Sequence, residues 1–513
     1  MRVGLTIGCG VIFLVQACGC MAQAPTAGLG IFEGQTDVGS VTPPGKASYD
    51  AGVYTLDAAG ANMWSTVDAF HFVWKKVTGD VALSADLAFP SSAGSPDPHR
   101  KAVLIFRQTL DADGVYVDAA LHGSGMTAMQ YRRERGATTQ DIELNIEAPR
   151  RIRLEKRGDT ITMFLSNHGE PLHQVGASIK LHLEAPFYAG IGLCSHNKDV
   201  EERAVFSKVE LEAIEPDAGE EKTLYSTLQT IGIEDNFRRA MVVTTGPGRM
   251  EAPNWSRDGK TLIFTKDGKI WTIPAEGGTV SALSIGSAEK CTGSHGLSPD
   301  GKLLAISCST PAKPETRVYI VPSAGGEPRL LTENAWSYFH SWSPDGKTIA
   351  FTRPDHKGGG NILSIAVEGG AEKALTTGSG ISDDPDYSAD GKWIYFNSDR
   401  GVGGSMQIWR MRPDGSGAEQ VTSDEFNNWT PHPSPDGKSI LILSYDKGVS
   451  GHPTDKDIAF RIINVSDGKI RTLVNVVGGA GSDNVPNWAP DGTHFAFVSF
   501  QRLPEAAMGT PDK

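Results

Sequence analysis

The stretch Ser-Trp-Ser-Pro-Asp-Gly-Lys-Thr-Ile-Ala-Phe-Thr at 341–352 decides the fold, because its first seven residues are one of six copies of a phrase. The others are Asn-Trp-Ser-Arg-Asp-Gly-Lys at 254–260, Gly-Leu-Ser-Pro-Asp-Gly-Lys at 296–302, Asp-Tyr-Ser-Ala-Asp-Gly-Lys at 386–392, His-Pro-Ser-Pro-Asp-Gly-Lys at 432–438 and Asn-Trp-Ala-Pro-Asp-Gly-Thr at 487–493. Their aspartates, Asp258, Asp300, Asp345, Asp390, Asp436 and Asp491, stand 42, 45, 45, 46 and 55 residues apart. In the Ser-Pro-Asp-Gly form the proline presets φ, the aspartate can bond nearby backbone, and the glycine takes the positive φ needed to leave the turn. Each phrase therefore reads as a hairpin turn.

Apolar runs follow the turns, such as Thr-Leu-Ile-Phe at 261–264 and Trp-Ile-Tyr-Phe at 393–396, and read as buried strands. A weaker alternating strand comes next, as in Lys-Ile-Trp-Thr-Ile at 269–273 and Gln-Ile-Trp-Arg-Met at 407–411. A second turn then leads to a strand ending near Leu331-Thr332, Leu375-Thr376 or Val421-Thr422. Four strands in a fixed period of this length are the pattern of propeller blades. The chain leaves the last copy after Phe500, so Thr223–Leu228 and Ala240–Thr244 are expected to complete a sixth blade and close the ring.

Across residues 222–500 the sequence resembles the TolB-like six-bladed propellers, on all six turn phrases and the Ile-Trp or Val-Tyr strand of the middle blades. The resemblance implies the fold and leaves function open. Similar propellers serve periplasmic Tol-system proteins, the non-catalytic domains of prolyl peptidases and some polysaccharide lyases.

Residues 28–213 hold many strand candidates and no long amphipathic helix, among them Ala69–Trp74, Val81–Leu87, Ala102–Arg107 and Arg151–Lys156. This pattern indicates a β-sandwich. With Arg157–Thr162, Ser166–Gly169 and Tyr188–Leu193 it resembles the concanavalin A-like lectin/glucanase jelly roll, a superfamily whose members often bind carbohydrate on the concave sheet. Arg107, Tyr116, Tyr131 and Arg133 are either exposed sheet positions or the lining of a sugar groove, and the paired carboxylates of a glycosidase are not apparent. The fold class expected is all-β, a β-sandwich (jelly roll) followed by a six-bladed β-propeller. The expected organisation is signal peptide 1–24, jelly roll 28–213, linker 214–222, propeller 223–501 and tail 502–513.

The 513-residue chain carries a formal net charge of −13, and none of its repeats carries a Lys/Arg cluster, which argues against a nucleic-acid partner. An apolar stretch at 3–17 after Arg2, followed by Ala22-Gln23-Ala24, reads as a cleavable export signal; Val15-Gln16-Ala17-Cys18 offers lipid anchoring through Cys18 or Cys20 as the alternative. A periplasmic or secreted protein with no transmembrane span in the mature chain is expected. Cys291 and Cys308 fall opposite each other if Ser298–Gly301 sets a simple hairpin register, so they form either a disulfide or two buried thiols, and Cys194 is left over.

Three positions before the Ser of the phrase stand Pro253, His295, His340, Pro385 and Pro431, with Pro486 at the matching place before Ala489. His432, Asp386 and Asn254 are among the residues one position later. Histidines where sister blades have proline depart from the structural repeat, and such departures mark functional positions. Asp383-Asp384, Asn427-Asn428 and Asp483-Asn484 lie just upstream in the later blades. His295, His340, Asp383, Asp384, Asp386, Asn427, Asn428, His432, His452 and Asn484 are the candidate ligand-binding residues of a polar funnel. His295, His340 and His432 are the candidate ligands of a divalent metal; the alternatives are a metal-free ligand site and histidines that only cap backbone. Oligogalacturonate lyases are similar in holding a histidine-bound metal in a related propeller, but their ligand spacing is not matched. The insertion Gly448–Asp457, with His452, reads as a surface loop or as a lid.

No Gly-x-Ser-x-Gly elbow and no His-Glu-x-x-His pair is present. Three functions stay open: binding of carbohydrate or another cell-envelope component, an oligosaccharide lyase or hydrolase, and a Tol-type scaffold docking envelope proteins.

Overall fold

The computed structural model describes residues 28–90, 96–167, 171–215, 222–233, 239–355, 359–378, 380–401 and 403–504. The export signal with Cys18 and Cys20, most of the linker and the end of the tail lie outside these residues. Among them there is no helix, and hence none long and apolar enough to cross a membrane. The fold is all-β.

Five four-stranded antiparallel sheets follow one another from Met250 to Gly478, each built from consecutive strands. The first strand of each sheet is largely buried, while the fourth strand of the first four is short and mostly exposed, so the first strands form the centre of the propeller. The turn phrase is closed by its own side chains. In five copies the serine hydroxyl donates to the aspartate Oδ1 at 2.6–2.8 Å and accepts the main-chain N–H five residues on at 2.9–3.0 Å. The glycines sit at φ 69–71°, a region costly for any side chain. Two tryptophans of the phrase tie neighbouring sheets together: the Trp342 and Trp488 indoles donate to the carbonyls of Gly296 and His432, each at 2.8 Å.

The expected sixth sheet does not stand by itself. Lys222–Gly232 pairs antiparallel with His494–Pro504 on one side and Arg239–Pro247 on the other, while the segment inside them makes a single bridge, Trp488 to Phe495. Beyond Arg239–Pro247, Gln140–Glu143 adds in parallel, so these strands end a ten-stranded sheet running into the front half. The outer edge of these strands is taken by a strand a hundred residues upstream, which merges the two sheets. The last strand also continues to Pro504, past the expected boundary at 501.

In the front half the ten-stranded sheet faces a seven-stranded one ordered His173–Lys180, Thr160–Ser166, Arg151–Arg157, Val81–Ala88, Asn197–Ala213, Val53–Gly60 and Lys46–Asp50. Leu83, Leu154 and Met163 from one and Leu104, Val117 and Met129 from the other share a core that extends to Trp429, Tyr445 and Phe497 of the propeller. Each such side chain, once buried, contributes about 1.5–3 kcal/mol. Arg107, Tyr116 and Tyr131 are buried and line no exposed groove. Arg107 and Arg132 both bind the Asp68 carboxylate, at 2.7 and 2.8 Å, with all three side chains fully buried.

Cys291 and Cys308 form a disulfide. The ladder around them is not the simple hairpin register, since His295 faces Ile306 and Glu289 bridges Ser309. Cys194 is a buried free thiol, pushed up to about 11 by burial.

Candidate functional site

In four of the five sheets the central strand bulges at one place. The register slips between Glu251 and Asn254, Phe339 and Ser341, Asp383 and Asp386, and Trp429 and His432. Proline has no N–H to give a ladder, so Pro253, Pro385 and Pro431 require such a break. The residue before each is driven to positive φ: Ala252 at 53°, Asp384 at 51° and Thr430 at 46°. A bulge re-aims side chains, and a non-glycine residue held there costs about 1–3 kcal/mol. Asp384 and Thr430 are thus placed by strain that the surrounding propeller imposes.

His340 sits between two carboxylates. Its Nε2 is 3.4 Å from Asp383 Oδ1 and its Nδ1 is 3.2 Å from Asp384 Oδ1. Among the described residues these three are the group whose metal-ligating atoms lie within 4.8 Å of one another. Burial works to raise the Asp383 carboxyl, and the His340 imidazole outweighs it and holds Asp383 at about 2. Asp384 is driven the other way, well above the carboxylate range, by burial and by the charges of Asp383 and Asp483. Asp483 is pushed up to about 7 by burial, with His432 and the Thr430 hydroxyl, 3.0 Å away, opposing the shift.

His432 has a different environment. Its Nδ1 is 3.1 Å from Asp386 Oδ2, and its Nε2 is 2.5 Å from the carbonyl oxygen of Asp483. Nε2 must donate to that carbonyl, and Nδ1 shares a proton with Asp386, so no lone pair is left for a metal. Burial depresses its basicity, yet Asp386 raises it on balance. His295 is fully buried in the second sheet, and neither ring nitrogen has a hydrogen-bond partner among the described residues. Burial alone lowers it to about 4. The expected trio of His295, His340 and His432 is therefore not brought together; two aspartates take the places of two histidines around His340.

The insertion Gly448–Asp457 is held down over this region. His452 stacks on Trp429 with ring centroids 4.6 Å apart and meets the edge of Tyr445 at 5.9 Å. Tyr445 donates to Pro453 O at 2.6 Å, Asn427 Nδ2 to Val449 O at 3.0 Å, and Asp455 pairs with Arg249 at 3.0 Å. A plain surface loop does not describe this segment. Burial lowers His452 to about 4, with the Asp383 charge opposing and His340 adding to the effect.

Asn427, Asn428 and Asn484 are engaged by the protein itself. Asn427 pins the insertion, Asn428 donates to Gln407 Oε1 and Asp424 Oδ1 at 3.0 and 2.9 Å, and Asn484 accepts the Gly481 N–H at 2.8 Å. Thr430 and Asn397, whose Oδ1 accepts the Thr430 N–H at 3.1 Å, belong to the site and were not among the candidates; Asp483, named with the funnel groups, accepts from the Thr430 hydroxyl. Thr430 was findable, since it precedes Pro431 as Asp384 precedes Pro385.

A propeller of four-stranded antiparallel sheets, closed by strands from both ends of the repeat region and carrying an acidic, histidine-containing centre, defines the class. Residues 336–503 match the family described as TolB beta propeller domain. An uncharacterised protein of Agrobacterium fabrum strain C58 is 43% identical over 264 residues, which is 51% of this chain and 89% of that protein. A structure provisionally described as TolB from Agrobacterium tumefaciens is similar with a TM-score of 0.52 and 41% identity, covering 55% of this chain and all of that one. TolB from Acinetobacter baumannii aligns with a TM-score of 0.40 and 16% identity over 64% of this chain and 78% of that one. The chain belongs to the TolB-like propeller family.

Proposed function

We propose that this is an exported binding protein whose propeller centre takes a small polar ligand, a carbohydrate or another cell-envelope component, with a divalent cation held by His340, Asp383 and Asp384. The front half, read as a lectin-like jelly roll, supplies a second glycan-holding surface, and the last strands complete a sixth blade in this reading. The observation that carries it is the adjacency of Asp383 and Asp384: two consecutive carboxyls, one partly exposed and held low, the other buried and driven well above the carboxylate range, beside a single imidazole. Such an arrangement costs folding free energy in the free protein, and a cation or a set of ligand hydroxyls between the carboxylates recovers it. Calorimetric titration of divalent cations and oligosaccharides into wild type and Asp384→Asn tests the reading. Binding to wild type with at least tenfold loss in the variant supports it, and equal behaviour of the two proteins rejects it.

A second reading, turnover of an oligosaccharide, is favoured by one specific feature. Carboxyls whose proton affinities are driven apart supply an acid and a base in one site. Asp383 would be the base and Asp384 the acid. Release of product from a panel of uronic-acid and neutral oligosaccharides, absent in Asp383→Asn, would distinguish this reading from binding alone.

A further inference from the structure

A second histidine cluster lies in the front half, away from the propeller centre. In the ten-stranded sheet Lys101 pairs with His122 on one side and Cys194 on the other. This register brings His99, two residues before Lys101, and His196, two residues after Cys194, to the end of the strand that His122 closes. The ring of His99 lies 5.3 Å from that of His196 and 6.3 Å from that of His122, centroid to centroid. The segment carrying His99 is fixed in place: Gly123 and Ser124 donate their N–H groups to Arg100 O and Pro98 O, each at 2.8 Å. His196 is held at φ 60°, a strained value for a histidine.

Asp97 adds the observation that points to a ligand. Its Oδ2 is 3.2 Å from His196 Nδ1, and its Oδ1 accepts the His99 N–H at 2.8 Å. A carboxylate beside Nδ1 favours the tautomer that leaves Nε2 with its lone pair, the arrangement found behind metal-bound histidines. Two imidazoles on one tetrahedral ion, with nitrogens about 2.0–2.1 Å from it, have ring centres about 5 Å apart. The His99–His196 spacing meets this, and the His99–His122 spacing exceeds it by about 1 Å, within reach of a turn of the exposed His99 ring. We propose that His99, His122 and His196 form a transition-metal site, oriented by Asp97, for Zn2+ or another divalent ion that prefers imidazole. It uses none of the residues at the propeller centre.

The experiment is equilibrium dialysis of the full chain against Zn2+ at pH 7.5, followed by elemental analysis, on wild type, His99→Gln/His196→Gln and the propeller variant Asp383→Asn/Asp384→Asn. The proposal expects the histidine variant to lose one equivalent of Zn2+ that the propeller variant keeps, and Asp97→Asn to weaken it about 10–100-fold. Cobalt loaded in place of zinc should give a visible band that disappears in His99→Gln, whose exposed ring makes that variant safe for folding. Zinc content equal in wild type and the histidine variant, or a cobalt spectrum unchanged in His99→Gln, overturns it. Zinc lost only from the propeller variant also overturns it, and supports the cation reading of the propeller instead.

Discussion

His432 donates through Nε2 to the main-chain carbonyl of Asp483 at 2.5 Å, a bond between the fifth four-stranded sheet and the segment that leads into the last strand. The same ring meets Asp386 of the fourth sheet, so one side chain joins three successive parts of the propeller. His432→Ala would leave the buried Asp386 carboxyl and the Asp483 carbonyl without this partner. A loss of about 3–5 kcal/mol is expected, read from urea midpoints. Cation content at His340 should not change, which separates the bracing role from a ligand role.

Asp384→Asn should stabilise the free protein while weakening ligand or cation binding. It removes the carboxyl that Asp383 and Asp483 oppose and keeps the side-chain shape. A rise in Tm together with weaker binding is the expected outcome, a trade seen where a site is built at the expense of stability. A fall in Tm would mean that the protonated Asp384 makes a hydrogen bond worth more than the repulsion.

Two sets of buried groups pull the pH dependence in opposite directions. His295 and His452 titrate at about 4 in the folded chain, against about 6.5 when unfolded, so the unfolded chain gains protons first as pH falls. Their contribution is fully present above pH 6.5 and is lost as pH falls towards 4, on the order of 3 kcal/mol for His295. Asp483, raised to about 7, binds its proton more tightly when folded; its contribution is present below the ordinary carboxylate range and lost as pH rises through 7. Melting temperatures from pH 4 to 8 should show the acid limb flattened in His295→Gln and the neutral limb flattened in Asp483→Asn.

Reduction of Cys291–Cys308, or the Cys291→Ser/Cys308→Ser variant, should cost about 3 kcal/mol for a loop of 17 residues' separation. Differential scanning calorimetry with and without reductant would show the shift, and no shift in the double serine variant.

Chains beginning after Pro247 lack both strands that pair against His494–Pro504 and its neighbour. Such a chain exposes a long apolar strand at an open edge and should be recovered as aggregate. A soluble, cooperatively melting product would show that the five sheets hold the ring closed without those strands.

The turns were legible because everything that closes them is local: a serine, an aspartate two residues on, and a glycine at positive φ. The count of separate sheets was not, because Gln140–Glu143 takes the outer edge across a hundred residues of chain, and no neighbouring sequence announces that contact. The candidate site was half legible. Departures from the repeat pointed to His340, Asp383 and Asp384, but strand register decides which departures meet, and the bulges before Pro385 and Pro431 reset it. His295 and His340 hold the same place in the repeat and His432 the next one, and all three read as candidate ligands, yet one is unpartnered by protein, one lies between two acids and one is clamped by a carboxylate and a carbonyl.

The parallel pairing of Gln140–Glu143 with Arg239–Pro247 has a mechanical consequence. Two domains on a flexible tether move independently, and a ligand spanning both would bring the second site near only by chance. Here a hydrogen-bonded ladder crosses the junction, and Gln174 reaches over it to Gln501 at 3.1 Å. Pulling on the front half loads that ladder in shear before it stretches any linker. Any two sites on the two parts would therefore keep a fixed separation, set by the ladder rather than by a linker.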